Sequence, residues 1–197
     1  MTQISLVSAL AREGAPDGED ARAANLKVEA LSRDLVRSLD EIVWAVRPQN
    51  DNLPSLVEYL GYAARGLCEG SDVRCWFSGL PTVPALEVSA SVRHNLLLAC
   101  REAINNVLKH SGATEVRIRL RLEGGNFTVE IADNGHGFEA ATGEAKRSGL
   151  LHIRERLTEI GGRCEFDSVI GQGTTVRLIL PLGSAGRSDP SLEIRKP

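Results

Sequence analysis

Two runs of alternating apolar residues on either side of a glycine turn most constrain the fold. Apolar and polar residues alternate over 116–122 and again over 127–131, with Gly124, Gly125 and Asn126 between the runs. A period of two places the apolar side chains of a strand on one face. A short glycine-rich link between two such runs is typical of a β-hairpin. The sequence therefore predicts a hairpin with one wet face and one face packed on another layer.

Helical and strand patterns surround this hairpin in a definite order. The spacing predicts strands over 73–77, 164–166 and 174–180, and helices over 88–109 and 150–160. The order is strand, helix, hairpin, helix, hairpin. This order predicts an α+β fold, a two-layer sandwich with helices on one face of a mixed sheet.

A helical segment is predicted before the sandwich. An apolar stripe at steps of three and four residues ends before Pro48, and a second helical pattern follows over 53–67. The members of the stripe are Leu31, Leu35, Leu39, Ile42 and Val46. Two amphipathic helices of this kind need something to pack on.

The patterns divide the 197 residues into four parts. We expect a flexible lead-in over 1–20, a helical region over 21–69, the sandwich over 71–183 and a loose tail over 184–197.

Charge and hydropathy restrict the partners of the chain. There are 23 Lys and Arg residues against 26 Asp and Glu residues, which gives a net charge of −3. No basic excess is available for nucleic acid or anionic lipid. The longest uncharged apolar run, 95–100, is far shorter than the roughly 20 residues of a membrane span. We expect no nucleic-acid binding, no membrane contact from this chain and a cytosolic location.

Three polar side chains share a face of the long predicted helix. Glu102 and Asn106 are four residues apart, and Lys109 follows three residues later. A carboxylate, an amide oxygen and an ammonium group in one row suit a general base, a Mg²⁺ ligand and a phosphate contact. By itself, the same row also fits a solvated helix face.

Two glycine motifs follow the hairpin. Asp133 ends a predicted strand and precedes Gly135 and Gly137, which allow the backbone to approach a ligand closely. Ser148 and Gly149 open the next predicted helix, whose first N–H groups and positive dipole end favour an anion such as phosphate. Alone, the first motif could be a plain turn, and the second could be any helix that begins at Ser-Gly.

In this order the motifs resemble a known family. Glu102 to Asn106, the Asp133-x-Gly-x-Gly motif, Gly149 and the run 171–175 (GQGTT) resemble the Bergerat-type ATP-binding fold of histidine kinases, Hsp90, gyrase and MutL. Within that superfamily the chain is similar to the catalytic domain of a bacterial sensor histidine kinase over residues 73–182. The cofactors that this implies are ATP and Mg²⁺, and the implied relay partner is a response regulator.

The resemblance implies a role for each matching residue. Asp133 would bind the adenine amine with Thr174 beside it, and Glu102 would be the catalytic base. Asn106 would hold Mg²⁺, and Lys109 would contact phosphate oxygens. The remaining implied nucleotide contacts come from backbone at Gly135, Gly137, Gly149, Leu150 and Leu151.

The subfamily is suggested by two further features. Only the ten residues 139–148 separate the glycine motifs, and the run 39–48 ends in Trp-Ala-x-x-Pro. Both resemble the short-lid kinases related to nitrate sensors. This likeness implies a homodimer through the helix 26–46 and a place in the cytosolic part of a larger membrane-bound sensor.

One departure from the family leaves alternatives open. The first histidine is His94, so no phosphoacceptor precedes the predicted ATP domain, and for His94 and His110 a structural or nucleotide-adjacent role is expected. The chain is predicted to serve a kinase whose acceptor histidine lies elsewhere. The alternatives are a non-catalytic nucleotide-dependent interaction module, a hydrolytic ATPase and an anti-sigma-factor kinase.

Overall fold

The computed structural model describes residues 28, 32, 35, 36, 39–138 and 148–182. The expected lead-in, the expected tail beyond 182 and the lid residues 139–147 lie outside the described residues. The chain forms two compact units, residues 1–46 and 47–197.

Among the described residues of the first unit, 39–46 form a continuous helical segment, named α1. Residues 28, 32, 35 and 36 are helical as well. Four members of the predicted stripe are exposed by 46–61%: Leu35, Leu39, Ile42 and Val46. Leu31 lies outside the described residues. The stripe is therefore an apolar helix face that is largely open to solvent.

The second unit carries the sheet. A 3-10 turn, Pro48–Asn50, leads into α2. The helices are α2 (Leu53–Cys68), α3 (Ala90–Asn106), which continues as a π-helical turn (Val107–Ser111), and α4 (Ser148–Glu159). The strands are β1 (Arg74–Ser78), β2 (Glu115–Glu123), β3 (Asn126–Asp133), β4 (Arg163–Val169) and β5 (Gly173–Pro181). Within the described part of the chain, no helix combines the length and apolar character that crossing a membrane requires.

The five strands form one mixed sheet in the order β1-β2-β3-β5-β4. β1 pairs parallel with β2, and the other pairs are antiparallel. The alternating residues predicted to face a layer are buried in β2 and β3, except for the half-buried Leu122, and α3 and α4 contact the sheet. The predicted α+β sandwich with a preceding helical segment is therefore confirmed.

Helix α2 belongs to the same compact unit as the sheet. It begins at an Asn52 cap, whose side-chain oxygen accepts a hydrogen bond from the Ser55 N–H at 2.9 Å. Its apolar residues Leu53, Leu56 and Leu60 are buried, and the helix contacts α3 and β1. The expected boundary fell between 69 and 71, whereas the two units of the structure divide between residues 46 and 47. The stripe of α2 finds its packing partners in the second unit.

A buried arginine holds the entry segment of the second unit. The Arg93 side chain, on α3, is fully buried. It donates to the backbone oxygen of Val88 at 2.6 Å and to that of Arg47 at 3.3 Å, and it forms an ion pair with Asp51. The Asp51 backbone oxygen in turn accepts from the Val88 N–H at 3.1 Å. We call this set of contacts the Arg93 clasp, and it fixes residues 47–51 against the start of α3.

Candidate functional site

A cavity of about 530 Å³ opens between α3, the loop after β3, the start of α4 and β5. Its size is in the range of small-molecule sites, and carboxylate, amide and hydroxyl groups share its wall with apolar side chains. The lining residues predicted from the sequence are Glu102, Asn106, Asp133, Gly137, Gly149, Leu150 and Thr174.

The first wall of the cavity comes from α3 and the π-helical turn that continues it. Glu102 and Asn106 face the cavity one helical turn apart. The Ser111 hydroxyl donates to the Val107 oxygen at 2.8 Å, and the Ser111 backbone oxygen accepts from the His136 N–H at 2.8 Å. The turn therefore binds the loop that follows β3.

The loop after β3 is held by hydrogen bonds to its own aspartate and asparagine. The Gly135 N–H donates to Asp133 Oδ1 at 2.8 Å. Asn134 Oδ1 accepts from the N–H groups of Thr114 and Glu115, both at 3.0 Å. These contacts fix the loop to the start of β2, so the Asp133 carboxylate has a defined position at the cavity wall.

The environment of Asp133 opposes its ionisation. Burial raises the pKa of Asp133 above its ordinary value, and hydrogen bonds from the backbone of Gly135 and Thr174, together with the nearby His136, oppose the rise. A partly desolvated carboxylate gains by accepting a further hydrogen bond from a donor inside the cavity.

Gly137 adopts a backbone conformation that is unfavourable for other residues. Its φ is +60°, in the left-handed region that favours glycine. A Cβ at this position would also collide with the Val169 backbone oxygen of the β4–β5 hairpin. Gly137 therefore allows the loop and the hairpin to lie in direct contact beside the cavity.

Gly149 brings the start of α4 against the α3 wall. A Cβ on Gly149 would collide with the Glu102 carboxylate and lie 3.5 Å from Asn106 Nδ2. The first turn of the 12-residue helix α4 therefore faces the two polar side chains of α3. Backbone N–H groups at a helix N-terminus, beside a carboxylate and an amide, can bind an anion together with a cation.

Three predicted site residues do not line the cavity. Gly135 is buried behind Asp133, whereas Lys109 and Leu151 are exposed. The prediction for Lys109 assumed an α-helix through residue 109. The wider π-helical turn from Val107 onward gives Lys109 a different angular position from the one that α-helical spacing predicts.

Several lining residues were not predicted as site residues. Ala103 and Val107 lie in the predicted helix 88–109 and Val176 in the predicted strand 174–180, where apolar residues are expected in the core. His136 is the unspecified position between the two glycines of the Asp133 motif. Ser111 carries no local signal, because its role comes from the π-helical turn. Phe138 also lines the cavity, as does His110, for which a nucleotide-adjacent position was one expectation.

Comparison with known proteins identifies similar chains. Residues 91–184 match the family model described as "Histidine kinase-, DNA gyrase B-, and HSP90-like ATPase". The chain is 34% identical over 152 residues to the sensor histidine kinase LnrJ of Bacillus subtilis, an alignment that covers 75% of this chain and 35% of LnrJ. It is 35% identical over 97 residues to the nitrate/nitrite sensor protein NarQ of Escherichia coli, covering 49% of this chain and 17% of NarQ.

A solved structure has the same fold at low sequence identity. The histidine kinase domain of the blue-light activated kinase EL346 of Erythrobacter litoralis superposes with a TM-score of 0.58 at 17% identity. The match covers 91% of this chain and 93% of that domain. By contrast, the chain spans about a third or less of the length of LnrJ and NarQ.

Proposed function

Because the chain carries the ATP-binding domain of a sensor histidine kinase, we propose that it is the catalytic module of such a kinase. It binds ATP with Mg²⁺ and transfers the γ-phosphoryl group to a histidine that is absent from this chain. The phosphoryl group then passes to a response regulator. The observation that carries the proposal is the convergence of Glu102, Asn106, Asp133 and Thr174 with the start of α4 on one cavity.

Asp133 and Thr174 form the base-binding end of the proposed site. Both lie at ends of neighbouring strands, because Ala132 pairs with Thr175 between β3 and β5. The Asp133 carboxylate accepts the exocyclic N–H of adenine, and Thr174 lies beside it. Gly135 and Gly137 keep the backbone close to the nucleotide, with Gly135 acting through its hydrogen bond to Asp133.

The phosphate end of the proposed site lies at the start of α4. The backbone N–H groups of Gly149, Leu150 and Leu151 are available there as donors to phosphate oxygens. Leu151 contributes through its backbone, since its side chain is exposed. Lys109 is also exposed, and its long side chain supplies a positive charge that reaches the phosphates from outside the cavity.

Glu102 is the proposed catalytic base. It faces the cavity opposite the start of α4, close to where the γ-phosphate would lie. In this position its carboxylate accepts the proton of the incoming histidine and orients that nucleophile. The presence of this carboxylate in the cavity favours the catalytic module over a non-catalytic interaction module, for which a base would have no use.

The donor set at the phosphate end fits Mg²⁺. Asn106 provides an amide oxygen beside the Glu102 carboxylate. In the described part of the chain, no cluster of three His, Cys, Asp or Glu side chains could hold a metal alone. Mg²⁺ is commonly bound by one or two protein oxygens together with phosphate oxygens and waters. The ion would neutralise charge on the triphosphate, and Asn106 would hold it.

The Asn106→Ala variant tests this assignment. We expect it to weaken ATP binding roughly tenfold in Mg²⁺, the size of one lost charge-assisted contact. In EDTA the variant and the parent should bind ATP equally, because Asn106 acts through the ion. Calorimetric titration under both conditions measures the difference.

Asn105→Ala is the matched control for this experiment. Asn105 is adjacent on α3 and does not line the cavity, and alanine favours the helix at either position. The control should bind ATP like the parent in both buffers. Equal losses for Asn106→Ala with and without Mg²⁺ would contradict the metal assignment.

The whole protein is proposed to be a homodimeric sensor kinase. LnrJ is named a sensor histidine kinase and NarQ a nitrate/nitrite sensor, which supports the short-lid, nitrate-sensor-like subfamily. The module would lie on the cytosolic side of such a sensor. The helical region 21–69 is proposed to be a partial dimerisation region, and the exposed apolar stripe supports its first helix, 26–46, as the dimer contact.

The Leu39→Glu variant tests this contact. Leu39 is 61% exposed on α1, so burying it between two copies would favour association, and a carboxylate there would oppose it. We expect the dimer dissociation constant to rise about tenfold, as measured by sedimentation equilibrium.

Ile170→Glu is the control, because Ile170 is an equally aliphatic and exposed residue of the β4–β5 hairpin. It should associate like the parent. An unchanged dissociation constant for Leu39→Glu would exclude the 26–46 helix as the contact.

A further inference from the structure

The hydroxyl group of Ser168, at the end of β4, joins three parts of the cavity wall. Its oxygen accepts from the Phe138 N–H at 2.8 Å. It also lies 3.3 Å from the Gly173 backbone oxygen and 2.9 Å from Thr174 Oγ1. Ser168 does not line the cavity itself, whereas Phe138 and Thr174 do.

A count of protons fixes the direction of these hydrogen bonds. A serine hydroxyl has one proton, and a backbone carbonyl oxygen can only accept. Both contacts are hydrogen bonds only if Ser168 donates to Gly173 and Thr174 donates to Ser168. Thr174 then has no proton left for the cavity, and its oxygen can only accept there.

The acceptor character of Thr174 matches that of its neighbour. Asp133 and Thr174 line the same cavity, and the pairing of Ala132 with Thr175 places them next to each other at adjoining ends of β3 and β5. An ionised carboxylate is an acceptor only. The cavity therefore presents two acceptors side by side. A base edge with an amino group, which has two N–H donors, satisfies both of them, whereas a carbonyl oxygen at the same place satisfies neither.

We propose that Ser168 is a specificity-determining residue. By accepting the Thr174 proton, it sets the Thr174 hydroxyl as an acceptor and so selects a purine with an exocyclic amine. This inference rests on the proposed function, in which the cavity binds ATP. Ser168 acts through Thr174 and does not touch the nucleotide.

The Ser168→Ala variant tests the proposal with two ligands, ATP and purine riboside 5′-triphosphate, which lacks the exocyclic amine. We expect the ratio of ATP affinity to analogue affinity to fall about three- to tenfold, the range of one neutral hydrogen bond. The variant also loses the hydrogen bond from the Phe138 N–H. That loss should weaken the binding of both ligands equally, so it does not change the ratio of their affinities. Ser168→Thr keeps the hydroxyl and should restore the parent ratio.

The outcomes separate this inference from the function on which it rests. An unchanged ratio in Ser168→Ala, whether both affinities fall together or neither falls, overturns the role of Ser168 while leaving ATP binding intact. A parent chain that binds neither ligand overturns the proposed function itself. The Ser168→Ala ratio decides the question even if the threonine variant does not fold.

Discussion

The Asp133→Asn variant is expected to bind ATP roughly ten- to a hundredfold more weakly than the parent chain. The change replaces a charge-assisted acceptor for the adenine amine by a neutral amide. The preference for ATP over GTP should shrink as well, because this carboxylate is the proposed base-selecting group. Isothermal titration calorimetry with both nucleotides measures the two effects.

Although Asp133→Asn should bind ATP more weakly, its free energy of unfolding should not fall below that of the parent. Burial raises the pKa of Asp133, and a raised acid pKa stabilises the fold only at low pH, below the pKa of the unfolded chain. That stabilisation is lost as the pH rises through the folded pKa. At neutral pH the ionised, partly buried carboxylate therefore lowers the free energy of unfolding, and asparagine removes this destabilisation. Asp72→Asn, at an exposed carboxylate before β1, is the control. Parent-like ATP binding by Asp133→Asn would refute the base assignment.

The second large effect is expected at the Arg93 clasp. The Arg93→Ala variant should lose on the order of 3 kcal/mol of unfolding free energy, because it removes a buried stem and the donor to two backbone oxygens. Asp51 adds little, since its side chain is 49% exposed. At ~2–4 °C per kcal/mol for a domain of this size, the Tm should fall by about 6–12 °C in a calorimetric scan.

Arg117→Ala provides the comparison for the clasp. Arg117 lies on β2 with its side chain 56% exposed, and it pairs with Glu115 at 2.7 Å. Removing an exposed ion pair of this kind costs about 0–1 kcal/mol. A similar Tm for the two variants would mean that the clasp contributes no more than a surface contact.

Much of the fold could be predicted from periodicity. The alternation over 116–122 and 127–131 is strong because one face of the hairpin is buried, while the other face is exposed in β2 and half-buried in β3. The division of the chain was harder to predict. The stripe of α2 is an equally good pattern for packing on α1 or on the sheet, and only the structure shows that Leu56 and Leu60 are buried within the second unit.

The candidate site was predictable where its residues follow regular elements. Glu102 and Asn106 share a helix face at a spacing of four, and Asp133 ends a strand, so local geometry was sufficient. The position of Lys109 could not be predicted, because the residues around it give no sign of the π-helical turn. That turn places Lys109 away from the cavity wall. Ser168 lay in a predicted hairpin, but its contact with Thr174 depends on the register of β4 and β5.

The position of β5 as an inner strand of the sheet has a consequence for synthesis on the ribosome. β5 lies between β3 and β4, although it is made after both of them. Since 173 − 133 = 40, about 40 residues separate the end of β3 from the start of β5. At a synthesis rate of ~5–20 residues per second, one edge of β3 stays unpaired for about 2–8 s before β5 is made. A chaperone that covers strand edges would act in this interval, and the cavity forms only when β5 brings Thr174 to Asp133.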